Sequence, residues 1–293
     1  MARGPWRAVF RGGALAATIA SAAVAAHCWN SYGQDRAALR QVVRQVVSAD
    51  APPAQRVLAL LHWVHALEGT RRNERYFGWR RLRATPVQVL SDGGDCADKS
   101  RLLAAALRES GIPATMALCL DRPGGTPAHT LVEATIGPGE YMVVDPAFDL
   151  YLPREDGSGT YDLLDLRREP ELVDRRVAAV RAALPPQKRP ASFYLRSAAA
   201  YDTAMTLNWN KNRVMRWLHD ALKSSYGEQM YRVPRPRFLE EPKLAVAASG
   251  LLFACLAFGV LTCSSLASKP RSLHAALRAL GAERGPRTAP SPA

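Results

Sequence analysis

Charge is missing from two long stretches of the sequence. Residues 12–33 (GGALAATIASAAVAAHCWNSYG) and 244–268 (LAVAASGLLFACLAFGVLTCSSLAS) contain no Asp, Glu, Lys or Arg. A solvated surface helix needs a charged face, so that reading is excluded for both. A helix that crosses a bilayer core needs about 20 apolar residues. The second stretch has that length and is rich in Leu, Phe and Val, which predicts a transmembrane helix over 244–268. The first is alanine-rich and firmly apolar only over 14–26. It follows Arg3, Arg7 and Arg11, so it reads as a signal anchor or as a cleavable signal peptide with Ala23-Val24-Ala25 at the cleavage site. The uncleaved anchor is preferred. His27 before Cys28 does not fit a lipoprotein site.

Cysteine is sparse as well. Of the five, Cys28, Cys255 and Cys263 lie in or beside the uncharged stretches, leaving Cys96 and Cys119 between them. That is neither a disulfide framework nor metal-ligand spacing, and neither a metal nor an organic cofactor is expected. There is no internal repeat, and no zinc-finger or RNA-binding signature. The net charge of +13 could suit nucleic acid. Much of it, however, flanks the apolar stretches: Arg3, Arg7 and Arg11 before the first, and Lys269, Arg271, Arg278, Arg284 and Arg287 after the second, against Glu283 alone. Such flanks stay in the cytoplasm. They predict a bacterial inner-membrane protein with both termini cytoplasmic and residues 34–243 in the periplasm, with no nucleic-acid partner.

Between the spans the periodicity is helical first. Leu39, Val42, Val43, Val46 and Val47 make one stripe over 35–50, and Val57, Leu60, Leu61, Val64 and Leu67 another over 53–67, with Pro52 and Pro53 at its start. Residues 69–85 read as a basic, aromatic loop. A helix over 96–110 closes at Gly111. Three short apolar runs follow, at 114–120, 129–136 and 141–145, separated by Gly and Pro as strands are. Beyond the polar loop from 153, residues 160–184 and 192–224 read as helices. The expected organisation is an anchor at 1–33, a core at 34–158, a helical extension at 159–243, a transmembrane helix at 244–268 and a basic tail at 269–293.

The chemistry-bearing stretch is SDGGDCADKSRLLAAALRESGIPA, residues 91–114. A thiol is nucleophilic only as its thiolate, and a helix N-terminus stabilises an anion. Cys96 stands at such a position. Gly93 and Gly94 before it would let a substrate backbone approach, and N–H groups at the helix start would hold an oxyanion. A thiolate also needs an imidazole, and the imidazole an orienting acceptor. His129 opens one predicted strand and Asp145 closes the next. If the loop GPGE pairs Ile136 with Tyr141, Asp145 falls on the opposite face from His129. A Cys-His-Asp triad then requires a register shifted by one residue, or a bulge. Asp149 is the rival carboxylate.

The run GDCADKSRLLAAALRESGIPA, followed by AHTLVEA and YMVVDPAFD, resembles the core of the transglutaminase-like superfamily over roughly residues 53–150. The resemblance implies an α+β, papain-like core in which N-terminal helices pack on a small antiparallel sheet, here with added C-terminal helices and two transmembrane helices. It implies Cys96 as nucleophile, His129 as base and Asp145 as orienter, with Trp79 or Gln88 as the second oxyanion donor. The substrate would be a protein or peptide, with hydrolysis or amine transfer left open. The alternative is a non-catalytic module that binds a peptide or a partner in an envelope complex. A weaker alternative makes the domain a structural lid on a membrane complex. The remaining residues read blandly: Cys119 as core, His62 and His65 as packing or surface, Asp98 as a helix cap, Trp209 and Trp217 as one packed helix face, and Arg71 to Arg83 as solvated surface.

Overall fold

The computed structural model describes residues 6–69, 71–75, 77, 82–183 and 200–266. The chain divides into two compact units, residues 30–245 and a second made of 1–29 with 246–293.

In the larger unit, helices come first, as the apolar stripes predict. The end of α1 (Trp6–Val46) is followed by α2 (Pro53–Ala66), α3 (Pro86–Asp92) and α4 (Cys96–Glu109). Then come β1 (Ala114–Leu120), β2 (Pro127–Gly137), β3 (Glu140–Asp145) and the short β4 (Leu150–Tyr151). After these lie α5 (Leu163–Arg168), α6 (Glu171–Ala183), β5 (Ala200–Met205), α7 (Arg213–Tyr226) and the start of α8 (Pro242–Leu266). The strands form one antiparallel sheet in the order β4-β3-β2-β1-β5. This is the α+β arrangement the sequence implies.

Alternation along the strands puts the two largest of three core clusters on opposite faces of the sheet. Met116, Val132, Ala134, Met142 and Val144 pack on Leu39 and Val43 of α1 and on the apolar faces of α2 and α4. Ala117, Cys119, Leu131 and Val143 face the other way, toward Leu163, Leu166, Leu172 and Val173 of α5 and α6. α4 is therefore enclosed, and its polar residues are all employed. Lys99 donates to the carbonyls of His65 and Leu67 at 3.0 Å each, closing the C-terminal end of α2. Ser100 donates to the Thr130 carbonyl at 2.9 Å, fixing α4 beside the start of β2.

Three local readings are corrected. The stripe at 35–50 is not a separate helix: α1 runs unbroken from Trp6 to Val46. Residues 86–92, unassigned from sequence, form α3, opened by Pro86 at its first turn and by a capping box between Thr85 and Gln88. The stretch 192–224 is not one helix, and the segment expected to be a helical extension also supplies a strand. Residues 200–205 are β5, which extends the sheet beyond β1 because Tyr201 and Ala204 are needed inside the second core cluster. Tertiary burial overrides the weak helical period there. Trp209 therefore lies outside α7, at 2% exposure, while Trp217 on α7 is 70% exposed.

In the smaller unit, two apolar helical segments pair. They belong to helices long and apolar enough to cross a membrane, with mean hydropathy 1.5 over an 18-residue stretch within Val9–Val46 and 2.4 over one within Pro242–Cys263. Phe10, Leu15, Ile19, Leu252, Phe253 and Phe258 point outward. The contact is made by small residues: a Cβ at Gly250 would lie 3.0 Å from the Ser21 carbonyl oxygen and 3.3 Å from the Ala25 Cβ. Small residues allow such close helix approach in lipid.

Candidate active site

Cys96 is the first residue of α4. The helix starts there because Asp95 caps it: its carboxylate accepts from the N–H groups of Ala97 at 2.9 Å and Asp98 at 3.0 Å. Asp98 completes the box, with Oδ2 accepting from the Asp95 N–H at 3.4 Å. Asp98 does more than cap. It is buried, accepts the Asn73 N–H at 2.8 Å and takes a salt bridge from Arg101 at 2.9 Å. Asn73 in turn donates from Nδ2 to the Gly93 carbonyl at 2.9 Å. This network clamps the loop that delivers the thiol. Sequence inspection missed Asn73 and Asp95. The spacing Asp95-x-x-Asp98 is a capping signal open to view, whereas nothing local marks Asn73.

The capping arrangement also leaves one donor over at the start of α4. Ala97 and Asp98 spend their N–H groups on Asp95, so among the described residues the Cys96 N–H is the helix-start donor left without an acceptor. Packing by itself requires the two glycines. Gly93 adopts φ +71°, and a Cβ there would run into the Glu68 carbonyl; a Cβ on Gly94 would run into the Asp98 side chain.

His129 and Asp145 share a face because of a bulge. Thr135 pairs with Tyr141 and Gly137 with Glu140, leaving Ile136 as the extra residue. The register is thus one residue away from the Ile136–Tyr141 pairing. Val132 lies opposite Val144, so continuing the ladder sets Leu131 opposite Asp145, and His129, two residues on, projects from the same side. The His129 Nε2–H donates to Asp145 Oδ2 at 2.6 Å, and Asp145 Oδ1 accepts the Ala147 N–H at 2.9 Å. Both side chains are buried, with the residues 8% and 4% exposed. The Asp145 carboxylate backs onto an apolar void of about 20 Å³ walled by Leu131, Val143 and Leu152. Phe148 flanks the imidazole, ring centroids 5.5 Å apart.

His129 also interacts electrostatically with Cys96. With Nε2 taken by Asp145, Nδ1 is the ring nitrogen left over. Burial alone would pull the imidazole down. The charge and hydrogen bond of Asp145, joined by the interaction with Cys96, outweigh it and push the pKa up to about 10. Cys119, directly across from His129 in the β1–β2 ladder, is wholly buried, and that burial, reinforced by Asp145, drives its thiol far above the ordinary range.

The remaining residues singled out in the sequence are accounted for as follows. Asp149 is bound to His62, Oδ1 to Nδ1, at 2.6 Å, away from His129's partner. His65 Nδ1 lies 3.3 Å from the Pro146 carbonyl. Gln88 accepts the Thr85 N–H at 2.8 Å through Oε1, in the α3 capping box. Trp79 lies outside the described residues, as do the break at 184–192 and the tail beyond 266. The described residues contain no cluster of metal-ligating side chains.

Compared with known protein families, residues 40–146 match the transglutaminase-like superfamily. The matched span starts late in α1, ends one residue past Asp145 and contains Cys96 and His129. No curated protein and no solved structure matches the chain.

Proposed function

We propose, from the transglutaminase-like domain at residues 40–146, that this chain is a membrane-anchored, cysteine-dependent acyl-transfer enzyme with Cys96, His129 and Asp145 as its triad. The observation that carries the reading is the 2.6 Å bond from His129 to Asp145, with Cys96, at the start of a helix, in electrostatic reach of the same ring. Asp145 fixes the ring so that Nε2 carries a proton and Nδ1 is the nitrogen free to take the thiol proton.

In the first half-reaction Cys96 Sγ attacks the carbonyl carbon of an amide. A C–S bond forms, and the carbonyl π electrons move onto oxygen, where the Cys96 N–H stabilises them. The C–N bond then breaks as the His129 Nδ1 proton passes to the leaving amine. The product is a thioester on Cys96. In the second half a water or an amine adds to that thioester, gives its proton to Nδ1, and expels Cys96 as thiolate. Water makes the reaction a hydrolysis; an amine makes it a crosslink. The substrate is a protein or peptide, and neither step calls for a metal. The basic flanks of the apolar helices support both termini in the cytoplasm and residues 34–243 in the periplasm.

The test is alkylation of the full-length chain in detergent by iodoacetamide between pH 4 and 9, with each cysteine followed by mass spectrometry. Cys96 is expected to react far faster than Cys119 at pH 6, and His129→Ala to slow it. Reaction of Cys96 with the profile of an ordinary thiol, centred near pKa 8.5, would overturn the triad and favour a module that only binds.

A further inference from the structure

Among the described residues, Asp149 is the one non-glycine with a left-handed backbone, at φ +53°. It is the last of the four residues, Pro146 to Asp149, that join β3 to β4 beyond the paired Asp145 and Leu150. Glycine takes such a conformation at less cost, so a side chain there is held by its surroundings. His62 of α2 supplies the hold: its Nδ1–H donates to Asp149 Oδ1 at 2.6 Å. One turn along α2, the His65 Nδ1–H donates to the Pro146 carbonyl at 3.3 Å. The two histidines therefore grip both ends of the loop.

This loop bears on the candidate triad at two points. Its Ala147 N–H donates to Asp145 Oδ1 at 2.9 Å, the oxygen not bound by His129. Its Phe148 ring lies tilted 43° to the His129 imidazole, with centroids 5.5 Å apart. α2 reaches the other arm as well, because Lys99 on the helix of Cys96 donates to the carbonyls of His65 and Leu67. His65 thus meets the Asp145 loop with its ring and the Cys96 helix with its carbonyl. The His62–Asp149 pair is half-open to water, with side chains 55% and 34% exposed. As an ion pair it is worth little; what it selects is the conformation of the loop.

We propose that His62 and Asp149 are positioning residues of the triad. Neither touches the reacting atoms. Their contact keeps Asp149 in its left-handed state, which sets the path of the loop, the direction of the Asp145 carboxylate and the seat of Phe148 against His129. The orientation of the imidazole, and with it the reactivity of Cys96, follows. The proposal rests on the acyl-transfer reading. The effect of so remote a contact is large because a shift of about 1 Å in a reacting group costs up to about 10²-fold in rate.

The experiment follows iodoacetamide labelling of Cys96 in the full-length chain in detergent from pH 4 to 9. Buried Cys119, which stays unlabelled while the fold is intact, is the control. His62→Ala should label about tenfold more slowly at pH 6, with its profile moved toward that of an ordinary thiol. His62→Gln, which keeps a donor for Asp149, should recover most of the rate. Asp149→Gly separates position from stability. It relieves the left-handed backbone but removes the acceptor of His62, so the thermal midpoint should hold or rise while labelling slows as in His62→Ala. A wild-type profile in Asp149→Gly, or in a folded His62→Ala, overturns the proposal and leaves the triad standing. Slower labelling that tracks a lowered midpoint in every variant makes the contact a structural one and overturns it too. An ordinary-thiol profile in the wild type itself overturns the triad, and this proposal with it. Where His62→Ala exposes Cys119 to labelling, Asp149→Gly decides.

Discussion

Cys96 and Cys119 both lie beside His129. Cys119 faces it across the β1–β2 ladder, and Cys96 interacts with it electrostatically from the start of α4. The two thiols lie beside one imidazole, yet they are in opposite circumstances. Cys119 has no exposure, lies among Ala117, Leu131 and Val143, and is held as the neutral thiol by burial. Cys96 is partly exposed, at a helix end whose dipole favours an anion. Proximity to a histidine therefore does not make a nucleophile. What separates the two is solvent access and position at a helix end, and the proposed function assigns the reactive role to Cys96 on that ground.

The strongest way to break this comparison is to delete each thiol in turn. Cys96→Ala should remove the rapid iodoacetamide labelling at pH 6, and Cys119→Ala should leave it intact; rapid labelling that survives the first change would sink the distinction. Next in size is Asp145→Asn. Without the carboxylate, Cys96 should return toward an ordinary thiol, about 10²-fold less thiolate at pH 6 for a pKa near 8.5, read as a matching fall in alkylation rate. If the rate holds, Asp145 does not tune the pair.

The frame that presents Cys96 comes third. Gly93→Ala forces a side chain into φ +71° and against the Glu68 carbonyl, which should cost about 2–4 kcal/mol, seen as a lower denaturant midpoint. A neutral result would mean that the loop yields. Cys119→Ala removes one buried sulfur and should cost only about 1 kcal/mol by the same measurement; a cost as large as that at Gly93 would mean that Cys119 is structurally critical. The pH dependence sharpens the electrostatic half. The His129 pKa rises from 6.5 to about 10 on folding. Its contribution is thus fully present below about pH 6.5 and is lost as pH climbs toward 10. The thermal midpoint of the wild type should fall over that window more steeply than that of His129→Asn. Parallel curves would show that the pair adds nothing to stability.

Much of this was legible in the chain. The apolar stripes of α1, α2 and α4, the Pro and Gly punctuation around the strands, and the uncharged stretches at each end are local patterns, and local patterns carry secondary structure directly. The residues Cys96, His129 and Asp145 were visible for the same reason, each marking the beginning or end of an element. What the sequence by itself determined about this protein is therefore its helices α2 and α4, its strands β1 to β3, its apolar spans and its chemistry-bearing residues. Tertiary structure alone decided the rest. It bulged β2 at Ile136, so that His129 and Asp145 share a face; a one-residue slip costs nothing locally but reverses every side chain beyond it. It drew residues 200–205 into the sheet as β5, because burial of Tyr201 and Ala204 outweighs a weak helical period. It brought Asn73 onto Asp98 across 25 positions. Those pairings arise from loop closure and core packing, which depend on the whole chain at once and leave no signature at either residue.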